Sequence, residues 1–267
     1  MLSAKYILIA KNTLQEYFVY RVNFFFWRLQ VFISFLTFYS LWSAVGRSPG
    51  FSSSLYSLSE LYSYFVIGYI IRALVFTTRT QDLGGDIQNG QFSTLLLKPI
   101  NIIKYYFSRD VIDKLFNLLF MIFEFYLIII LFHPNLILPS PTNFLIFILF
   151  LILSISIFFF YSLAISFSAF WIDSAWSIRF LSGVVFVNLF SGQFIPLDLL
   201  PPIIYKILVF TPFPYMYFYP VKFFIGQINL SQAIIYLITG FLCLIITAIF
   251  SMTLWLKGKQ RFQSYGN

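Results

Sequence analysis

Long apolar runs alternate with short polar segments along this chain. Five stretches, residues 24–45, 61–79, 115–132, 143–170 and 231–256, are each largely apolar. Each is about as long as the roughly 20 helical residues needed to cross the hydrocarbon core of a bilayer. A sixth, "FLSGVVFVNLFSGQF" at 180–194, suits only a thin or locally pinched bilayer. Pro196 ends it, because proline removes a backbone donor. The pattern predicts an all-α integral membrane protein of about six transmembrane helices, with 1–267 forming one transmembrane domain.

The segments between the spans are also patterned. Residues 4–20 are too polar to cross. Wound as a helix, they put Ile7, Ala10, Leu14, Tyr17 and Phe18 on one face and Asn12, Gln15 and Glu16 opposite. This predicts a helix lying in the membrane interface, with a cytoplasmic extension of the first span as the alternative. Residues 80–114 read as the one substantial cytoplasmic loop. Gly84, Gly85 and Gly90 there offer turns that other residues resist, and "STLLLKP" reads as a short helix stopped by Pro99. Mixed charges and the apolar "FSTLLL" suit a protein-docking surface better than a solvated linker or a lipid-binding basic patch. Residues 195–230 are apolar but broken by Pro196, Pro201, Pro202, Pro212, Pro214 and Pro220. Backbone that leaves the helical state at membrane depth must be buried in protein or face water. Two short outer helices, roughly 198–210 and 217–226, are therefore expected as a re-entrant hairpin or an external cap.

Composition excludes a soluble domain. Sixty per cent of the 267 residues are hydrophobic and 10% are charged, where ordinary chains carry about 25% charge; mean hydropathy is +0.87. The net charge of +8 calls for no nucleic acid once its placement is considered. With both termini cytoplasmic, thirteen cations fall on inner segments or inner span ends: Lys5, Lys11, Arg21, Arg28, Arg79, Lys98, Lys104, Arg109, Lys114, Arg179, Lys257, Lys259 and Arg261. Only Arg47, Lys206 and Lys222 fall outside, and Arg72 lies within a span. The positive-inside bias then predicts a multi-pass protein of the cell (inner) membrane. Trp27, Trp171, Trp176 and Trp255 fall at inner boundaries and Trp42 at an outer one, as in aromatic belts. The early apolar stretch "YILIA", interrupted by Lys5 and Lys11, is shorter than the roughly 7–15 residues a signal-peptide core needs.

Candidate chemistry is sparse. Cys243 and His133 are each the single residue of their type, so neither a disulfide nor a metal site is expected. Outward acids are few, Glu60 and Asp198 among them. A membrane-embedded transferase or protease needs acids, bases or a nucleophile grouped at one depth, so no catalytic residue is nominated. Arg72 in the second span and Glu124 in the third are intramembrane charges. A central Arg costs about 2.5–3.5 kcal/mol against about 0.3–0.6 returned by each large aliphatic residue or Phe, so both helices should still insert. Such charges face the bundle interior and pair. Arg72 and Glu124 are therefore expected to approach one another, either lining the substrate path or forming a structural ion pair. Asp173, in "WIDSAWSIR", is expected at the interface.

Two segments carry a resemblance. "GGDIQNGQFSTLLLKPI" at 84–100 resembles the stretch after the second span in the membrane subunits of type-2 ABC exporters. "SGQFIPLDLLPPIIYKILVFTPFPYMYFYP" at 191–220 is similar to the outer segment before their last span. The resemblance covers nearly the whole chain. It implies that 4–20 is an elbow helix along the inner surface. It implies that 80–100 is a coupling segment seated on an ATPase, with Asp82, Gly85, Asp86, Gln88, Gly90, Phe92, Lys98 and Pro99 as candidate residues. It also implies that 195–226 forms outer re-entrant helices, with Gly192, Pro196, Pro201, Pro212 and Pro214 shaping them. The sequence has no G-x-x-x-x-G-K-[ST] phosphate loop, so ATP and Mg are expected on two copies of a separate ATPase subunit. A second permease, identical or a sibling, is the other expected partner besides membrane lipid. The rival reading is an ion-coupled transporter or channel; such folds often show internal repeats, and none is evident here. An ATPase encoded beside this chain would favour the pump, and transport without ATP would favour the rival.

Overall fold

The computed structural model describes residues 4–48 and 55–262. In chain order its helices are α1 (Ala4–Val19), α2 (Arg21–Arg47), α3 (Leu58–Val75), α4 (Asp82–Gln88), α5 (Phe92–Leu96), α6 (Ile102–Phe132) and α7 (Pro141–Phe167). They continue with α8 (Ala175–Ile178), α9 (Val187–Phe190), α10 (Pro202–Leu208), α11 (Phe218–Phe224) and α12 (Leu230–Arg261). Among the described residues there is no strand. Helices α2, α3, α6, α7 and α12 are long and apolar enough to cross a membrane. A π-helical stretch, Arg179–Phe186, joins α8 to α9 in one apolar helix; it overlaps the stretch read as a sixth span and is shorter than the five long helices.

Local chemistry explains where the helices start. Ser57 and Glu60 form a reciprocal capping box on α3, which satisfies donors that a helix end leaves free. Asn229 and Gln232 do the same for α12. Asn101 caps α6, and Ser140 caps α7 with Pro141 in its first turn, where proline's missing N–H costs nothing.

Several boundaries differ from the hydropathy reading. Helix α6 begins at Ile102, so residues 102–114 are not loop. They add about three and a half turns to the third span. Charged Arg109, Asp110 and Asp113 are buried there against partners, which is why a segment that looks water-facing stays helical inside the bundle. Gly84 and Gly85 lie within α4 rather than in a turn; only Gly90 in that segment takes a positive φ, +73°. Helix α3 stops at Val75, one turn short of the expected end.

Two apolar cores result. The larger joins α2, α3, α7, the outer segment and α12. Within it, Gly192 takes φ +92°, a conformation that favours glycine. Its carbonyl accepts the Tyr64 hydroxyl at 2.7 Å, and Trp42 Nε1 donates to the Phe194 carbonyl at 2.9 Å. Trp42 is thus buried and stacked on Phe65, not set in an interfacial belt. Two short helices, α10 and α11, lie in the proline-broken segment. Residues 215–223 are almost entirely buried. Tyr217 lies so close to Gly68 of α3 that a Cβ there would sit 1.7 Å from its hydroxyl. Lys222 of α11 pairs with Asp198 and lies over the Tyr56 ring. Burial lowers the Lys222 pKa and Asp198 opposes that shift.

The smaller core lies at the opposite end. Leu83 and Ile87 of α4 and Phe92 and Leu95 of α5 pack with Ile102 and Tyr106 of α6. Phe159, Leu163, Phe167 and Phe170 of the α7 end complete it, against Trp255 and Phe262 of the α12 end. Helix α1 runs beside α6. The stripe Tyr6, Thr13, Tyr17 is buried, while Ile7, Leu14 and Phe18 stay exposed. Tyr17 therefore leaves the face assigned to it in the sequence: it stacks on Phe116 of α6. Trp171 and Trp255 also pack inside this end, leaving Trp27 and Trp176 as exposed tryptophans.

Candidate functional site

A cavity of about 560 Å³ opens between α2, α3 and the π-helical stretch before α9. Toward its C-terminal half α2 meets the segment after α9, where Phe38 stacks on Phe194. Below that contact the two helices flank the cavity. Asn23, Trp27 and Gln30 line it from α2, Arg72 and Phe76 from the α3 end, and Arg179, Val184 and Asn188 from the opposite wall. Its lining mixes aromatic, amide and guanidinium groups. The three arginines Arg72, Arg79 and Arg179 all contribute. The α2 residues that line it run from Asn23 to Val31, about 12 Å at 1.5 Å per residue, so the cavity reaches well into the bundle.

Beside the cavity a ladder of charges runs along one face of α6. Positions 109, 113, 117 and 124 recur at helical spacing. Arg109 pairs with Glu16 of α1 at 2.8 Å and with Asp82 of α4 at 3.3 Å. Asp113 pairs with Arg79 at 3.3 Å and accepts from the Tyr17 hydroxyl. Asn117 accepts from Arg28 of α2 at 3.1 Å, and its amide donates to the Asp113 carbonyl at 2.8 Å. Arg28 then donates through Nε to Glu124 Oε1 at 2.9 Å and through its terminal nitrogen to Oε2. Tyr69 of α3 adds a hydroxyl donor to the same carboxylate. The ladder links α4, at the cation-rich end, to the middle of the bundle. Burial raises the Asp82 pKa above its ordinary value, while Arg109 and Arg79 pull it back.

This corrects the expected Arg72–Glu124 pair. Glu124 is taken by Arg28, whose planar fork meets both carboxylate oxygens. Arg72 instead points into the cavity wall. Arg28 had been assigned to an inner span end, yet its 3% exposure makes it the true intramembrane partner. The spacing along α6 was the available signal, since Asp113, Asn117 and Glu124 share one helical face.

The residues nominated for ATPase contact divide in two. Gly85, Gln88, Lys98 and Pro99 are exposed, and Asp82, Asp86 and Gly90 are half-buried. Asp86 accepts from Tyr106 at 2.8 Å, Gln88 donates to the Ile172 carbonyl at 3.2 Å and to the Asp173 carbonyl, and Lys5 donates to the Pro99 carbonyl at 2.6 Å. Phe92, however, is fully buried among Phe170, Trp255 and Phe262. It holds the segment to the bundle and offers no outer surface. The apolar surface is supplied by Leu96 and by Leu97, which is 86% exposed. The run "LLL" carried that signal, but only the helix phase separates buried Leu95 from exposed Leu97.

A family model described as "ABC-2 family transporter protein" matches residues 28–266. Comparison with curated proteins found no match.

Proposed function

This chain belongs to the ABC-2 transporter family and is a membrane-spanning permease subunit of an ABC transporter; from that premise we propose that it is half of an exporter driven through α4 and α5. Two permease chains, identical or siblings, would face one another with two ATPase subunits beneath. ATP and Mg would bind on those subunits, and this chain would supply no catalytic side chain. Cargo would pass along the cavity beside α2, with α10 and α11 closing the outer end. A lipid, drug-like molecule, peptide or glycan all remain within the compass of this reading.

The observation that carries the proposal is the build of the α4–α5 segment. Its outer rim is exposed and partly apolar at Leu96 and Leu97, while its inner face is cemented to the ends of α6, α7 and α12. A segment packed in this way moves as a rigid body with three spans. A push on its rim would therefore tilt helices rather than flex a linker, a switching mode with ample precedent. The charge ladder on α6 ties the same segment to α2 and α3.

Leu97→Asp tests this directly. Leu97 contributes almost nothing to the core, so the variant should insert and keep its thermal stability. A tagged wild-type chain should retain its ATPase subunit through purification from native membrane, and the variant should lose it. Equal recovery of the ATPase with both chains would remove the docking role from this rim.

A further inference from the structure

Six cations among the described residues are buried or half-buried: Arg28, Arg72, Arg79, Arg109, Lys114 and Lys222. Five have a carboxylate partner. Arg28 has Glu124, Arg79 has Asp113, Arg109 has Glu16, Lys114 has Asp110 and Lys222 has Asp198. Arg72 forms no ion pair with any described residue. Across the same cavity stands Arg179, whose charged neighbour Asp82 is already held by Arg79 and Arg109. A guanidinium carried on a membrane-spanning helix without a counter-charge is costly, and natural proteins normally pair it. The chain pairs every other such cation, so the exception at a cavity wall marks a place for an anion brought from outside.

We propose that Arg72 and Arg179 bind the oxyanion head of an amphiphilic cargo, a phosphate or carboxylate group whose apolar tail lies against the aromatic wall of the cavity. The inference rests on the permease reading above and narrows its cargo class. Guanidinium suits this task because its planar fork matches two oxygens of a phosphate or carboxylate. The tail is assigned by the remainder of the lining. Phe24, Trp27, Val31, Phe76 and Val184 line the same cavity as the two cations, and a free inorganic ion would leave those side chains wet. Arg179 also lies on the π-helical stretch, and such departures from regular winding occur frequently at functional sites. Transport would then need the anion to leave Arg72 once the bundle tilts, which a charge-assisted contact open to water permits.

The test is equilibrium binding to the full-length chain in a neutral maltoside detergent, without nucleotide and without the ATPase, read by native mass spectrometry. The probes are dodecyl phosphate, the uncharged dodecyl octaethylene glycol ether and inorganic phosphate. Wild type should bind dodecyl phosphate about a hundredfold more tightly than the uncharged ether, the scale of two hydrogen bonds to charged groups. Arg72→Gln and Arg179→Gln should each erase about tenfold of that preference, and Lys206→Gln, at the exposed outer surface, should leave it intact. Arg179 is exposed in the single chain, so its variant carries the test even where Arg72→Gln fails to fold. Equal binding of the two amphiphiles, or an unchanged preference in the Arg179 variant, overturns the proposal. Inorganic phosphate competing at the same concentration as dodecyl phosphate overturns the amphiphile assignment. Because no ATPase is present, a negative result here leaves the permease reading standing. Loss of ATPase docking in the Leu97 variant is likewise read independently of these probes.

Discussion

Glu124 and Arg28 show what a single buried charge costs. Their side chains are 11% and 4% exposed, so removing either partner strands the other away from water. Breaking such a pair typically costs about 3–5 kcal/mol, whereas replacing both partners by apolar groups is often neutral. Arg28→Met and Glu124→Leu should each lower thermal stability in detergent by that order, and the double variant should recover most of the loss. Additive losses in the double variant would show that the two groups do not act on one another. Phe92 belongs to the same scale by a different mechanism. Phe92→Ala removes a fully buried ring from the smaller core, and such truncations cost about 3–5 kcal/mol. The loss should appear as a lower unfolding midpoint, in contrast to Leu97→Asp, which changes an exposed side chain.

At the scale of elements, the span pattern was legible because lipid demands it. A helix must satisfy its own backbone in hydrocarbon, so α2, α3, α6, α7 and α12 all announce themselves as apolar runs. The proline-broken outer segment was legible for the complementary reason, since no helix can continue through Pro196, Pro201 and Pro212. The first turns of α6 were not. Their charges resemble those of a solvated loop until Glu16, Asp82 and Arg79 arrive from other elements to pair with them. Gly68 is another case. Nothing beside it in sequence shows that Tyr217 will lie against it, because the contact joins α3 to the residue that precedes α11, far away along the chain.

At the scale of the molecule, the cation-rich segments gather at one end. Helices α1, α4 and α5 and the C-terminal end of α12 all meet there, joined by contacts such as Lys5 to Pro99 and Phe92 to Phe262. Residues 197–226 occupy the other end. From the positive-inside bias we propose that the first end faces the cytosol. Single cysteines at exposed Gln91 and Lys206 should therefore label from opposite sides of sealed vesicles, Gln91→Cys from within the cell and Lys206→Cys from outside. Native Cys243 is buried and should label slowly. Labelling of both positions from one side would invalidate the six-span arrangement.

The order of apolar and polar residues alone determined that this chain spans a membrane, roughly how many times, and where its backbone must break. Those features follow from solvent matching and proline geometry, which act residue by residue along the chain. Which charges meet, which leucine of "LLL" faces outward and which half-buried arginine among the described residues is left without a carboxylate were decided only by tertiary packing. Pairing depends on the rotation of each helix about its own axis, and that rotation is set by neighbours far away in sequence.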